Sequence, residues 1–254
     1  MSEWPEFLSD SSPIVLIESL KKRGAVLLRQ ILPPHLLTDF LPHFQQGFAA
    51  EDQRYISGQM PAEIYQKLYC YGHAEPGQIT NYYVWIQSLL QVPALKQVLQ
   101  AIYGASAFLL INNAFPRRQD PAQPAFAIPF HQDQEFTGCF QTGINLWLPL
   151  TPAGQDFPGL ELCLDSPQEP LFQSADTAQQ RQQIIQKWKL LSWKVELQPG
   201  DALVFTGFTP HRTCMTKSMS QIRYSAEIRL ISATEKSRTQ APLLPIDLNV
   251  KLST

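Results

Sequence analysis

The stretch Ile128-Pro-Phe-His-Gln-Asp-Gln-Glu-Phe-Thr-Gly138 ends a short apolar run with His131 and, two positions on, Asp133. In an extended segment, residues i and i+2 project to the same side, about 6–7 Å apart. An imidazole and a carboxylate placed that way can converge on one metal ion. A third ligand has to come from elsewhere in the fold. The best candidate is His211 in GDALVFTGFTPHRT, which follows the apolar run ALVFTG much as His131 follows its own. In a barrel or sandwich, two such strand ends can be neighbours. Imidazole and carboxylate suit Fe(II), and three protein ligands on one octahedral face leave three positions open. A 2-oxo acid would take two of these and dioxygen the last, whereas a structural zinc would want a closed tetrahedral shell. The competing reading is a polar strand end, with His131 hydrogen-bonded, Asp133 capping a turn and His211 in a loop after Thr209-Pro210. These three residues alone leave both readings open.

A fourth residue bears on the choice. Arg223 lies twelve positions after His211, at the start of the β-rich run IRYSAEIRLI. A buried guanidinium beside an open iron site can grip the distal carboxylate of 2-oxoglutarate through two parallel hydrogen bonds. Ser225 is on the same strand face and can add a hydroxyl donor. The alternative for Arg223 is an exposed residue on an edge strand.

The elements that must position these groups fall into two regions. Up to about residue 105 the chain reads as mostly helical. GAVLLRQIL from Gly24 is a short apolar strand candidate. In PPHLLTDFLPHFQQGF, Leu36, Leu37, Phe40, Leu41, Phe44 and Phe48 recur at helical spacing, and the proline pair suits a helix start. Pro42 would kink that helix or end it early. A second helix is expected over Trp85 to Tyr103, stopped by Gly104. Residues 106–232 change character. AFLLINNAF, FAIPFHQD, TGINLWLPL, GLELCL, WKVELQ, ALVFTG and IRYSAEIRLIS are short β-rich runs between turn residues, as in a sandwich or barrel. In TGINLWLPL, alternation assigns Thr142, Ile144, Leu146 and Leu148 to one face and Gly143, Asn145 and Trp147 to the other. A helical insertion near 174–191, capped by Ser174 or Asp176, interrupts the strands. The tail, 233–254, has no clear period and is expected to pack along the surface. One domain over 1–254 is expected.

Composition narrows the function classes. The chain has 254 residues, 44% of them hydrophobic, which is enough for a sizeable core. Its 20 basic and 22 acidic residues nearly cancel, which argues against nucleic acid or an anionic membrane as partner. The start has no basic stretch followed by an apolar one, and no apolar run nears the roughly 18 residues of a membrane span. A cytoplasmic protein is expected. The four cysteines are scattered without a CxxC pair, so reduced thiols are expected rather than a disulfide framework.

In the order and spacing of these segments the chain resembles the phytanoyl-CoA dioxygenase family of Fe(II)/2-oxoglutarate-dependent oxygenases, over roughly Gly24 to Ile231. RGAVLLRQILPPHLLTDFLPHF is similar to the family's entry strand and proline-led helix, and VPALKQVLQAIYG to its pre-barrel helix. FHQDQEF matches the H-x-D segment, INLWLPL the strand after it, LQPGDALVFTGFTPHRT the distal-histidine segment and RYS the arginine-x-serine pair. The family's glycine-rich stretch after the central strands is replaced here by LELCLDSPQEP. The resemblance implies an α+β, mainly β fold: a double-stranded β-helix (jelly-roll, cupin-like) core flanked by N-terminal helices. It implies Fe(II) held by His131, Asp133 and His211. It also implies 2-oxoglutarate held by Arg223, with Trp147 against it, Ser225 assisting and Asn113 a further contact, and O2 as oxidant. Asp133 stands where halogenating relatives carry a small residue, which favours hydroxylation or a related oxidation of a small-molecule substrate.

The substrate itself is not written in these motifs. Arg117 and Arg118, read as lying in the loop before H-x-D, are candidates to clamp an anionic group. A solvated basic loop is the alternative. Phe136, with Phe130 and Phe140, is a candidate apolar wall, which core packing would explain equally well. Glu51 to Gln78 is a candidate lid. Two other functions fit the same residues: a cupin-like metal-binding protein without 2-oxoglutarate chemistry, and a non-catalytic binding module. Oligomeric state is left open.

Overall fold

A computed structural model describes residues 5–8, 11–69, 72–138, 140–166 and 177–249. The N-terminal third is a short strand, β1 (Glu6–Phe7), then α1 (Pro13–Arg23), β2 (Ala25–Leu28), α2 (His35–Thr38), α3 (Leu41–Ile56), α4 (Ala62–Tyr69), α5 (Tyr82–Leu90) and α6 (Pro93–Tyr103). Strands follow: β3 (Ser106–Leu110), β4 (Phe115–Gln119), a single helical turn α7 (Gln134–Thr137), β5 (Ile144–Pro149) and β6 (Gly159–Cys163). After α8 (Ala178–Leu191) come β7 (Ser192–Val195), β8 (Ala202–Thr206), β9 (His211–Cys214), β10 (Arg223–Ser232) and β11 (Leu243–Asp247).

The strands form two sheets. The larger runs β1-β2-β8-β5-β10-β3-β11, and β4 also pairs with β10. The smaller runs β7-β6-β9. The ten-residue β10 is the spine. One edge pairs with β5 along six positions, while the other pairs first with β4 and then with β3. Alternation splits the large sheet cleanly. Val26, Leu28, Ile144, Leu146, Leu148, Val204, Ala226, Ile228 and Leu230 face the helical layer and join one core with Leu16, Phe44, Phe48, Ile86 and Leu99. Ala25, Leu27, Trp147, Leu203 and Phe205 face the other way and pack against Leu160, Leu162 and Val195 of the small sheet. The expected faces of β5 are the observed ones. This two-sheet core with an N-terminal helical flank is the expected double-stranded β-helix.

Prolines set the helix boundaries more sharply than expected. Pro42 does not kink one helix; it sits in the first turn of α3, and α2 ends at Thr38. The stretch read as one helix over Trp85 to Tyr103 is two, because Pro93 has no N–H to continue α5 and instead opens α6. Gly24 ends α1 at φ 83°, a left-handed conformation that glycine adopts without strain, and so turns the chain directly into β2. The helical insertion is α8. Its cap is Thr177, which makes a capping box with Gln180; Ser174 and Asp176 lie outside the described residues.

Two regions differ from expectation. FPRRQ, read as loop, is strand β4. Two adjacent arginines hid it, yet each has a buried or half-buried acidic partner. The tail also does more than lie on the surface, because β11 pairs with β3 along five residues and closes that sheet edge. Among the described residues, no helix is long and apolar enough to cross a membrane. The buried cysteines Cys163 and Cys214 are free thiols, while Cys70 and Cys139 lie outside the described residues.

Candidate metal centre

FAIPFHQD does not form the expected full strand. It makes a single antiparallel bridge, in which His131 N donates to His211 O at 3.1 Å and His211 N donates to His131 O at 3.0 Å. Gln134 N donates to Gly207 O at 3.1 Å, and Gln132 Nε2 to Phe208 O at 2.6 Å. The two histidine segments are therefore stitched together by their own backbones. His211 opens β9, opposite Leu162 of β6. Asp133 is not extended: its φ of −63° and ψ of −27° begin the helical turn α7. The i, i+2 spacing still brings both side chains to one place, because His131 is extended and the chain bends just after it.

His131, Asp133 and His211 each offer a ligand atom, and the three lie within 4.8 Å of one another. The His131 and His211 rings are 4.2 Å apart between centroids. Each ring has Nδ1 against a carbonyl: Pro129 O at 2.8 Å and Thr209 O at 3.0 Å. A carbonyl only accepts, so each ring holds a proton on Nδ1, and Nε2 is the nitrogen left to ligate once the ring is neutral. Those Nε2 atoms lie 3.5 and 3.7 Å from the Asp133 oxygens. Neighbouring ligand atoms on an ion bound at about 2.1 Å would be about 3 Å apart, so the set would draw in around an ion. Burial pushes the Asp133 carboxyl up, but Arg229, His211 and His131 outweigh it and hold it well below the usual carboxylate range. Burial and the charge of His131 push His211 down to about 4, so it is neutral and ready to ligate. Burial lowers His131 as well, yet the hydrogen bond and charge of Asp133 leave it raised overall. Donor set, tautomers and charge fit a divalent ion such as Fe(II).

A cavity beside this triad has about 360 Å³ of unfilled space, part of it open to solvent. Its wall includes His131, His211, Trp147, Arg223, Arg117 and Glu227. Arg223 is 3% exposed and its guanidinium carbon lies 5.1 Å from the centre of the Trp147 ring. Its Nε and Nη1 are buried without a hydrogen-bond partner, as is the Ser225 hydroxyl. Burial and the nearby Arg117 push Arg223 down to about 9. Leaving a buried donor unsatisfied costs about 1–3 kcal/mol, more for a charged one. Such a group pointing into a cavity is matched to an anion.

The other candidates fall differently. Arg117 is not in a solvated loop: it is buried on β4, and its Nε donates to Glu227 Oε2 at 2.6 Å. Arg118 faces the other side of that strand and binds Asp52 of α3 at 2.6 and 2.9 Å. Asn113 sits in the turn between β3 and β4, where its carbonyl accepts from Arg229 Nη1 at 3.1 Å. Phe136 is 72% exposed, with its ring 5.8 Å from that of His131, while Phe130 and Phe140 are buried in small apolar clusters. In the candidate lid, Tyr55 stacks on Tyr65, and His73 bridges the backbone of Arg117. Three residues escaped the sequence reading: Asn145, Glu227 and Arg229. The signal was present in RYSAEIR, where Arg223, Ser225, Glu227 and Arg229 alternate with apolar residues although both strand faces are buried.

No protein-family model matches the chain. A curated relative, 1-deoxypentalenic acid 11-beta-hydroxylase of Streptomyces arenae, is 24% identical over 204 residues, 68% of this chain and 71% of that protein. Among solved structures, AviO1 from Streptomyces viridochromogenes Tue57 aligns with a TM-score of 0.58 at 17% identity, over 91% of this chain and 97% of that one. The non-heme alpha ketoglutarate dependent epimerase SnoN from nogalamycin biosynthesis aligns with a TM-score of 0.54 at 13% identity, over 87% and 83%. The non-heme monooxygenase ThoJ, as its nickel complex, aligns with a TM-score of 0.54 at 16% identity, over 85% and 76%. The chain shares the fold of these structures, and within that fold it brings His131, Asp133 and His211 together as a candidate metal-binding triad.

Proposed function

We propose that the protein is an Fe(II)/2-oxoglutarate-dependent dioxygenase that hydroxylates an aliphatic C–H bond of a small molecule and releases succinate and CO2. One observation carries this reading: Arg223, buried with its Nε and Nη1 unpartnered, lines the cavity that His131 and His211 border, and the buried Ser225 hydroxyl two residues along β10 is unpartnered as well. A metal site with no co-substrate would have no use for an uncompensated guanidinium there. With 2-oxoglutarate and O2, Fe(II) supplies the oxidising power that breaks the C–H bond.

The chain's own residues do the positioning. His131, Asp133 and His211 would hold the ion, which would supply the oxidising chemistry at sites the protein does not fill. Arg223 takes the distal carboxylate of 2-oxoglutarate as a charge-assisted pair, Ser225 adds a hydroxyl, and the Trp147 ring backs the guanidinium. Phe205, edge-on to His211 at 4.7 Å, and Leu160 keep bulk water from that side. Arg117 at the cavity wall, and Phe136 on the exposed side of His131, are the residues we assign to substrate contact. Hydroxylation is favoured by the acid at position 133 and by the name of the curated relative, a hydroxylase.

The test is succinate formation from 2-oxoglutarate by the chain reconstituted with Fe(II), with and without small amines, amino acids and acyl thioesters as candidate substrates. Arg223→Leu is expected to raise the KM for 2-oxoglutarate at least about 30-fold, the equivalent of ~2 kcal/mol for a lost buried charge pair, while metal binding persists. A wild-type chain that binds Fe(II) but makes no succinate would instead be a metal-binding protein of another kind.

A further inference from the structure

Each oxygen of Asp133 already has a donor. Arg229 Nη2 donates to Oδ1 at 2.8 Å, and Asn145 Nδ2 donates to Oδ2. Arg229 and Asn145 are directly paired neighbours on β10 and β5, so one rung of the large sheet grips the carboxylate from both sides. Arg229 is itself held. Its Nη2 also donates to Glu227 Oε1, and its Nη1 to the Asn113 carbonyl at 3.1 Å. Glu227 in turn pairs with Arg117 at the cavity wall. Positive and negative groups thus alternate from Arg117 through Glu227 and Arg229 to Asp133, all of them buried.

We propose that Arg229, braced by Glu227, is a positioning residue that sets the rotation of the Asp133 carboxylate and makes it a one-oxygen ligand. The inference rests on the metal-centre reading above. Left alone, a carboxylate on a short side chain can swing or bind an ion with both oxygens. With a fixed donor on each oxygen, the carboxylate cannot rotate freely, so the oxygen it turns toward an ion is set. Neutralising a buried charge would need only a nearby cation. The observed grip is more specific: an arginine with three acceptors of its own, paired across the rung with the asparagine that holds the second oxygen.

The test is Co(II) titration of the full chain, following affinity and the visible absorption of the bound ion, which reports its coordination. Arg229→Gln is expected to weaken Co(II) binding about 10–100-fold and to alter the spectrum. Arg229→Lys should recover most of the affinity and the wild-type spectrum. Glu227→Gln should weaken binding too, and the double variant should be no worse than Arg229→Gln alone, because the glutamate acts through the arginine. If Arg229→Gln does not fold, Glu227→Gln decides in the same way: weaker Co(II) binding supports the assignment and unchanged binding overturns it. Unchanged affinity and spectrum in a folded Arg229→Gln chain would overturn it outright. A wild-type chain that binds no Co(II) would remove the metal-centre reading and this inference together.

Discussion

At the scale of single residues, protonation links the triad to pH. His131 is raised above the ordinary imidazole range because Asp133 favours its charged form, against burial. His211 is pushed down to about 4 by burial and by His131. A divalent ion needs both imidazoles neutral, so it must displace a proton from His131 but not from His211. Metal affinity is therefore expected to fall as pH drops through the raised titration of His131, with about one proton released per ion bound below it. Calorimetric titration in buffers of different ionisation enthalpy measures that number; release of two protons near neutral pH would mean that His211 also titrates there. His131→Ala should abolish metal-dependent turnover with little effect on folding. The types and spacing of His131 and Asp133 were legible because both requirements are local. The acidic partners of Arg117 and Arg229 were not, since Arg117 meets Glu227 at a sequence distance of 110 residues and Arg229 meets Asp133 at 96.

At the scale of elements, local signals explain where helices start and stop. Pro42 and Pro93 each open a helix because the first turn has no use for the missing N–H. Thr177 closes the open end of α8 through a capping box, and the other end of that helix buries Trp188 against Phe130 and Cys163. Thr177→Ala is expected to destabilise by about 1 kcal/mol and to speed amide exchange in the first turn of α8. Co(II) affinity should not move, because no residue of α8 lines the triad cavity. A change in affinity would mean that the helix reaches the site through Phe130. Strand β4 was hidden for the opposite reason. Its arginines read as solvent-facing, and only the acids brought to them by β10 and α3 make a strand there stable.

At the scale of the whole molecule, two sheets and a helical layer share one arrangement: apolar faces outward to the helices and inward between the sheets, with a buried polar row along β10 that meets Arg117 of β4 and Asn145 of β5. Phe205 belongs to the inter-sheet core and touches His211. Phe205→Ala is expected to destabilise by about 3–5 kcal/mol and also to weaken metal binding, unlike an equally costly deletion in the helical layer such as Phe44→Ala. Metal, in turn, should stabilise the fold by mass action. At about 100 times its dissociation constant the gain is about 2.7 kcal/mol, seen as a rise in Tm that is lost in His211→Ala.

The amino-acid sequence by itself determined the candidate ligand types and the polar and apolar faces of β5, because each follows from one residue's chemistry or a short period. It placed Arg223 and Ser225 on one strand face, but not whether that face is buried. Tertiary structure alone decided that two histidine segments join through their backbones, that Arg223 is left without an anion and that Asp133 is held by β10 and β5. The physical reason is that a buried charge is costly unless something meets it, either an opposite charge from a distant strand or, for Arg223, a bound anion. Sheet pairing creates that meeting, and no local pattern records it.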